Sequence, residues 1–196
     1  MKNRPLIFLL FGLVISIAVP GATCQPVISN QNGNEAQAER KPKSPLPPPT
    51  GFVNDYSNVL DGATKNRLES TLAQLKERSA IEFAVAIIDT TRGQPVSEYT
   101  KAVAHGWGIG PKDKAEGGGL LLLVAVKDKQ WRIEVSRSLE KDLPNDVVLE
   151  LGRLMNESFR QQKYGEGVKK CVDAIISRLA GQRGFVMDKE DRKGRP

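Results

Sequence analysis

At 196 residues and 39% hydrophobic content, the chain is long enough for one well-buried domain and crowded for two. Its formal charge of +6 is unevenly spread: residues 51–181 carry 19 basic and 18 acidic side chains without aromatic–basic interleaving, which argues against nucleic-acid binding. Two cysteines, Cys24 and Cys171, and one histidine, His105, argue against a disulfide framework, a zinc cluster and a histidine-based hydrolase triad.

The chain opens with Lys2 and Arg4, runs apolar from Leu6 to Val19 and ends that run in small residues at Gly21 and Ala22. This is the layout of an export signal, and the run falls short of the roughly 20 residues a membrane-spanning helix needs. Residues 1–23 therefore read as a signal peptide, with a periplasmic or extracellular destination. Cys24 stands where a lipidated cysteine would, although Gly21, Ala22 and Thr23 lack the leading leucine of that cleavage box. Membrane contact is expected only through such a lipid or an uncleaved leader. Residues 24–50, rich in Asn, Gln, Lys and Pro and closing in "KPKSPLPPPT", cannot bury a core and read as a disordered tether.

The folded domain is expected over residues 51–181. Leu68, Leu72 and Leu75 repeat at helical spacing within "DGATKNRLESTLAQLKERS". "IEFAVAIID" is a buried strand by length and β-branched content, and Pro95 suits the first turn of a second helix bearing Val96, Tyr99, Val103 and Trp107. "LLLLVAV" is apolar on both faces, as expected of a strand covered on both sides. "WRIEV" alternates Trp131, Ile133 and Val135 with Arg132 and Glu134, so the two strands form a hairpin with the second at or near an edge. Two helices close the domain, the first carrying Val147, Leu151, Leu154 and Phe159 and the second Val168, Cys171, Val172, Ile175 and Leu179. Cys171 reads as a small core residue. A strand, a crossover helix and a second strand imply one parallel pair, hence a three-layer α/β/α sandwich with a small mixed sheet. Residues 182–196 form a polar, charge-mixed tail expected to stay disordered.

The six glycines of "HGWGIGPKDKAEGGG" invite comparison with phosphate-binding loops. Those loops follow a strand and open a helix, whereas here a helix comes first and a strand follows. The segment therefore reads as a helix-to-strand connection. Carboxylates collect at segment ends: Asp55, Asp89, Asp113, Glu116, Glu140, Asp142 and Asp146. Oxygen ligands from several loops suit a hard cation such as calcium. Each also has a plain structural role: an Asx-turn for Asp55, a helix cap for Asp142 and a favourable place in the helix dipole for Asp146.

"VNDYSNVLDGATKNRLESTLAQLKERSAIEFAVAIID", followed by "WGIGPKDKAEGGGLLLLVAVKDKQWRIEVSRSLEKDLPND", resembles the TPM domain family, which includes thylakoid lumen phosphatase-like proteins, photosystem II repair factors and many exported bacterial proteins. The resemblance covers roughly residues 51–179 and implies a Rossmann-like sandwich, a divalent-metal site made by loop carboxylates and, for some members, acid phosphatase activity. Where the family commonly has Asp-Asn-Gly before its apolar strand, this chain has Glu116-Gly117-Gly118-Gly119, and Ser136, Arg137 and Ser138 stand where glycines are common. Two functions are expected. One is an exported accessory module that binds envelope or membrane proteins during assembly or repair, with or without a bound divalent cation. The other is a metal-assisted phosphatase in which Asp55, Glu116, Glu140 and Asp146 hold the cation, Ca²⁺ being the candidate.

Overall fold

The computed structural model describes residues 43–110 and 117–188. In chain order the elements are β1 (Val53–Asp55), α1 (Gly62–Ser79), β2 (Ile81–Ile88), α2 (Val96–Trp107), β3 (Gly118–Ala125), β4 (Gln130–Val135), a 3-10 turn (Arg137–Leu139), α3 (Asn145–Arg153), α4 (Met155–Arg160) and α5 (Tyr164–Arg183). The sheet order is β1-β2-β3-β4, with the first three strands parallel and β4 antiparallel to β3.

The α/β sandwich with a small mixed sheet is thus present, and β4 lies at an edge. The sequence reading missed β1 and so expected one parallel pair where there are two. Three residues are too few for a periodic signal, and β1 is held by its neighbours. Its peptide groups pair with β2, while the Glu69 carboxylate of α1 accepts the amides of Phe52 and Val53 at 2.9 and 2.8 Å.

Strand alternation sends side chains to two separate cores. Phe83, Val85, Ile87, Leu120, Leu122 and Ile133 pack with Leu68, Leu72 and Leu75 of α1 and with α5, whereas Ala84, Ala86, Leu121 and Leu123 pack with Val103 of α2. The handedness of a crossover follows from the direction of travel along the sheet and the face its helix covers. The chain steps the same way from β1 to β2 and from β2 to β3, yet α1 and α2 lie on opposite faces. One of the two crossovers is therefore left-handed, the rare sense.

Packing also moves the limits drawn from composition. Leu46 joins the α2-side core, Pro47 O accepts the Trp107 indole at 2.8 Å, and Gly106 leaves room for Ser44. The folded domain therefore reaches back to Ser44, into the Pro-rich stretch. At the other end α5 continues to Arg183, and Phe185 and Met187 pack against the α1-side core. The single helix expected across Val147 to Phe159 is divided at Leu154, which is 46% exposed. Cys171 is buried in the core as expected, and burial pushes its thiol pKa up to about 12. Among the described residues no helix is long and apolar enough to cross a membrane.

Candidate functional site at the two ends of the sheet

The three parallel strands give the sheet a carboxyl end and an amino end, and the acidic residues divide between them. At the carboxyl end Asp55 is the last residue of β1, and its two oxygens accept the amides of Ser57 at 3.1 Å and Leu60 at 2.8 Å. Asp89 follows β2 and pairs with Lys127 at 2.7 Å, a contact that holds its pKa below the ordinary value. Asp128, in the turn between β3 and β4, accepts from the Thr91 amide at 2.8 Å and from the hydroxyls of Thr90 and Thr91 at 2.8 and 3.1 Å. These bonds, led by the Thr91 amide, lower its pKa as well. The carboxylates here close turns.

The amino end is built by close backbone approach. Gly119 of β3 lies against Gly110, so a Cβ at Gly119 would stand 2.8 Å from the Ile109 carbonyl. Gly117, at φ +94°, leaves no room for a Cβ beside Ala80 O. The glycines are therefore required by a crossing of chains at the start of the central strand. Ser136 Oγ accepts the Gly119 amide at 2.9 Å and lies 3.0 Å from Ser138 Oγ, while Glu82 accepts the Gly110 amide at 3.1 Å. Around this crossing opens a groove of about 750 Å³ lined by Lys101, His105, Glu134, Ser136, Arg137 and Glu140.

Two of the four residues expected to hold one cation, Asp55 and Glu140, do not converge. Asp55 is in register with Ile87, whereas β3 enters at Gly118, in register with Ile81. That places Asp55 and the Glu140 groove on the order of 20 Å apart at ~3.3 Å per strand residue. A cation bound at about 2.5 Å from each oxygen cannot bridge them. Asp146 sits in the first turn of α3, as the helix-dipole reading expects. Glu116 and Asp113 lie outside the described residues. Asp142 does not cap α3; its carboxylate pairs with Arg183 Nε at 2.6 Å, and Pro144 occupies the position before the helix. Among the described residues no group of three His, Cys, Asp or Glu is placed to hold a metal. His105 shares the groove with Ser136, whose hydroxyl accepts the Gly119 amide and lies against Ser138 Oγ, and among the described residues no His105–Ser136 hydrogen bond forms.

The groove residues that sequence reasoning did not single out are Lys101, Glu134 and Arg137. Chain order carried a usable signal for Arg137, which follows β4. Residues after a parallel strand fall at its carboxyl end, and those before β3 or after the returning β4 fall at the amino end.

An open α/β sheet covered on both faces, with one antiparallel edge strand and its groove at the amino end, defines a Rossmann-like three-layer module. Solved structures share it. The N-terminal domain of a protein from P. gingivalis is similar at 26% identity and TM-score 0.62, covering 72% of this chain and 89% of that one. The BA42 protein of the psychrophilic bacterium Bizionia argentinensis is similar at 20% identity and TM-score 0.55, over 72% of this chain and 94% of its own. The N-terminal domain of a Corynebacterium glutamicum protein shares the fold at 12% identity and TM-score 0.53, over 74% and 91%. No curated protein matches the chain. The model of the TPM domain matches residues 53–178, and the chain belongs to the TPM domain family.

Proposed function

We propose that this chain is an exported module of the cell envelope that binds envelope or membrane proteins and serves their assembly or repair. The observation that carries this reading is the division of chemistry between the two ends of the sheet. Carboxylates at the carboxyl end are consumed by amides, hydroxyls or Lys127, while the amino-end groove mixes Lys101 and Arg137 with Glu134 and Glu140 and has no paired nucleophile and base among the described residues. A mixed-charge groove recognises a polypeptide by its charge pattern. The leader-like residues 1–23 supply the route to the envelope.

Cross-linking of the full chain in envelope extracts, compared with a Lys101→Glu/Arg137→Glu variant, tests the reading. The expected result is a reproducible cross-linked protein that the variant fails to recover. Equal recovery by both, or none by either, sinks it.

The phosphatase reading keeps one point in its favour: Glu134 and Glu140 reach the same groove, and Glu134 Oε2 has no hydrogen-bond partner. The described donors are nevertheless too few for a cation site, and Asp55 is not among them. Phosphate release from a phosphomonoester with and without Ca²⁺ is expected to stay at the blank. Release that requires Ca²⁺ and is lost in Glu140→Ala would replace the binding reading.

A further inference from the structure

The β4 strand ends the sheet of described strands, so one of its sides pairs with no other described strand. The register shows which groups face outward. Ser136 N donates to Gly119 O at 2.9 Å, and Leu121 faces Glu134 and Leu123 faces Arg132, so the even-numbered residues of β4 exchange hydrogen bonds with β3. The amides and carbonyls of Trp131, Ile133 and Val135 therefore point away from β3, and none of them bonds another described residue. They are not sealed off. Arg132, Ile133, Glu134 and Val135 line a groove of about 340 Å³ whose walls include Lys101 of α2 and Asn145 and Val148 of α3. Leu149, one helical turn from Asn145, is 38% exposed on the same side of α3.

The side chains on this edge have an unusual pattern. Arg132 and Glu134 project to the α2 face and lie 3.9 Å apart at Nε and Oε2, too far for a hydrogen bond. Both atoms are buried and without a hydrogen-bond partner. Charges on an edge strand often serve to prevent pairing. Here, however, the sequence Trp131-Arg132-Ile133-Glu134-Val135 is complementary to its own reverse.

We propose that β4 is a self-pairing edge, joined antiparallel to β4 of a second copy of the chain about a twofold axis at Ile133. In that register Ile133 faces the partner's Ile133 in a hydrogen-bonded pair, because both direct their peptide groups outward. Trp131 faces the partner's Val135 in the same way. Arg132 then stands opposite the partner's Glu134, and Glu134 opposite the partner's Arg132, in the pairs where cross-strand side chains come closest. The contact is isologous, so each favourable pair occurs twice.

The same complementarity supplies the test. Arg132→Glu sets Glu against Glu twice, and Glu134→Arg sets Arg against Arg twice, so each variant disfavours its own dimer. Mixed together, the two variants restore both opposite-charge pairs. Sedimentation velocity of the full chain should show a dimer for the wild type and a dissociation constant raised about tenfold or more in each single variant. An equimolar mixture of the two and the Arg132→Glu/Glu134→Arg double variant should both return to dimer. Circular dichroism of each variant reads folding separately, and the double variant decides the matter if a single one unfolds. A monomeric wild type, single variants that stay dimeric, or a mixture and double variant that both remain monomeric would each overturn the proposal.

Discussion

The carboxyl and amino ends of the sheet carry similar numbers of acidic groups and use them in opposite ways. In open α/β sheets ligands usually bind beyond the carboxyl ends of the strands. Here that end is closed by its own turns, with Asp55, Asp89 and Asp128 each tied to amides, hydroxyls or Lys127. The amino end is held by backbone crossing instead, through Gly110, Gly117 and Gly119, and its charged side chains stay available to line a groove. A carboxylate at a strand end is thus not by itself a ligand. What decides its role is whether the neighbouring backbone has already claimed it.

The largest expected effect lies at the crossing. Gly117→Ala adds a methyl group against Ala80 O at φ +94°, where neither the backbone contact nor the dihedral can relax cheaply. A loss of about 3 kcal/mol is expected in urea unfolding. An unchanged midpoint would show that the amino end does not depend on the close approach.

A smaller effect separates the two ends directly. Asp55→Ala leaves the Ser57 and Leu60 amides without their acceptor and should cost about 1–2 kcal/mol, with partner cross-linking by the folded protein intact. Glu140→Ala should shift stability by less than about 0.5 kcal/mol while weakening partner capture. The reverse assignment, with Asp55 needed for capture and Glu140 for stability, would break the comparison.

The smallest effect per group appears in acid. Asp89 is held below its ordinary pKa first by Lys127, Asp128 by the Thr91 amide, Asp61 by the Thr64 hydroxyl and Glu166 by Lys170. Each of these carboxyls binds a proton more readily in the unfolded chain. Their stabilisation is therefore complete above the ordinary carboxylate range, near about pH 4, and is lost as pH falls through the folded values. Melting temperature should be flat down to about pH 5 and decline below about pH 4. A rise on acidification would contradict the hydrogen-bond pattern at the carboxyl end.

Much of the fold was legible because long periodic segments report their own burial. Leu68, Leu72 and Leu75 marked the core side of α1, and the all-apolar run from Leu120 to Val126 marked a strand covered on both faces. The β1 strand was not legible, because three residues capped by a distant Glu69 leave no local pattern. Leu46 was hidden among prolines, and only the Trp107 indole reaching Pro47 reveals that the segment is packed. The site was half legible. Helix-glycines-strand order correctly made the glycine loop a connection, but Ser136 acquires its meaning only from the Gly119 amide that its hydroxyl accepts. The carboxylates were treated as one set because chain position alone does not measure the length of a strand lying between them.

The Glu69 carboxylate, described above as an anchor for β1, has a consequence for assembly. It occupies the outward amide of Val53, so among the described residues the β1 margin is already engaged where the β4 margin is not. Such a sheet has a valence of one. It can accept a single neighbour along β4, and the joined pair then presents a stoppered margin at each extremity. Growth by edge addition ends there, which is how a protein with an unsatisfied strand stays clear of the endless stacking that leads to fibres.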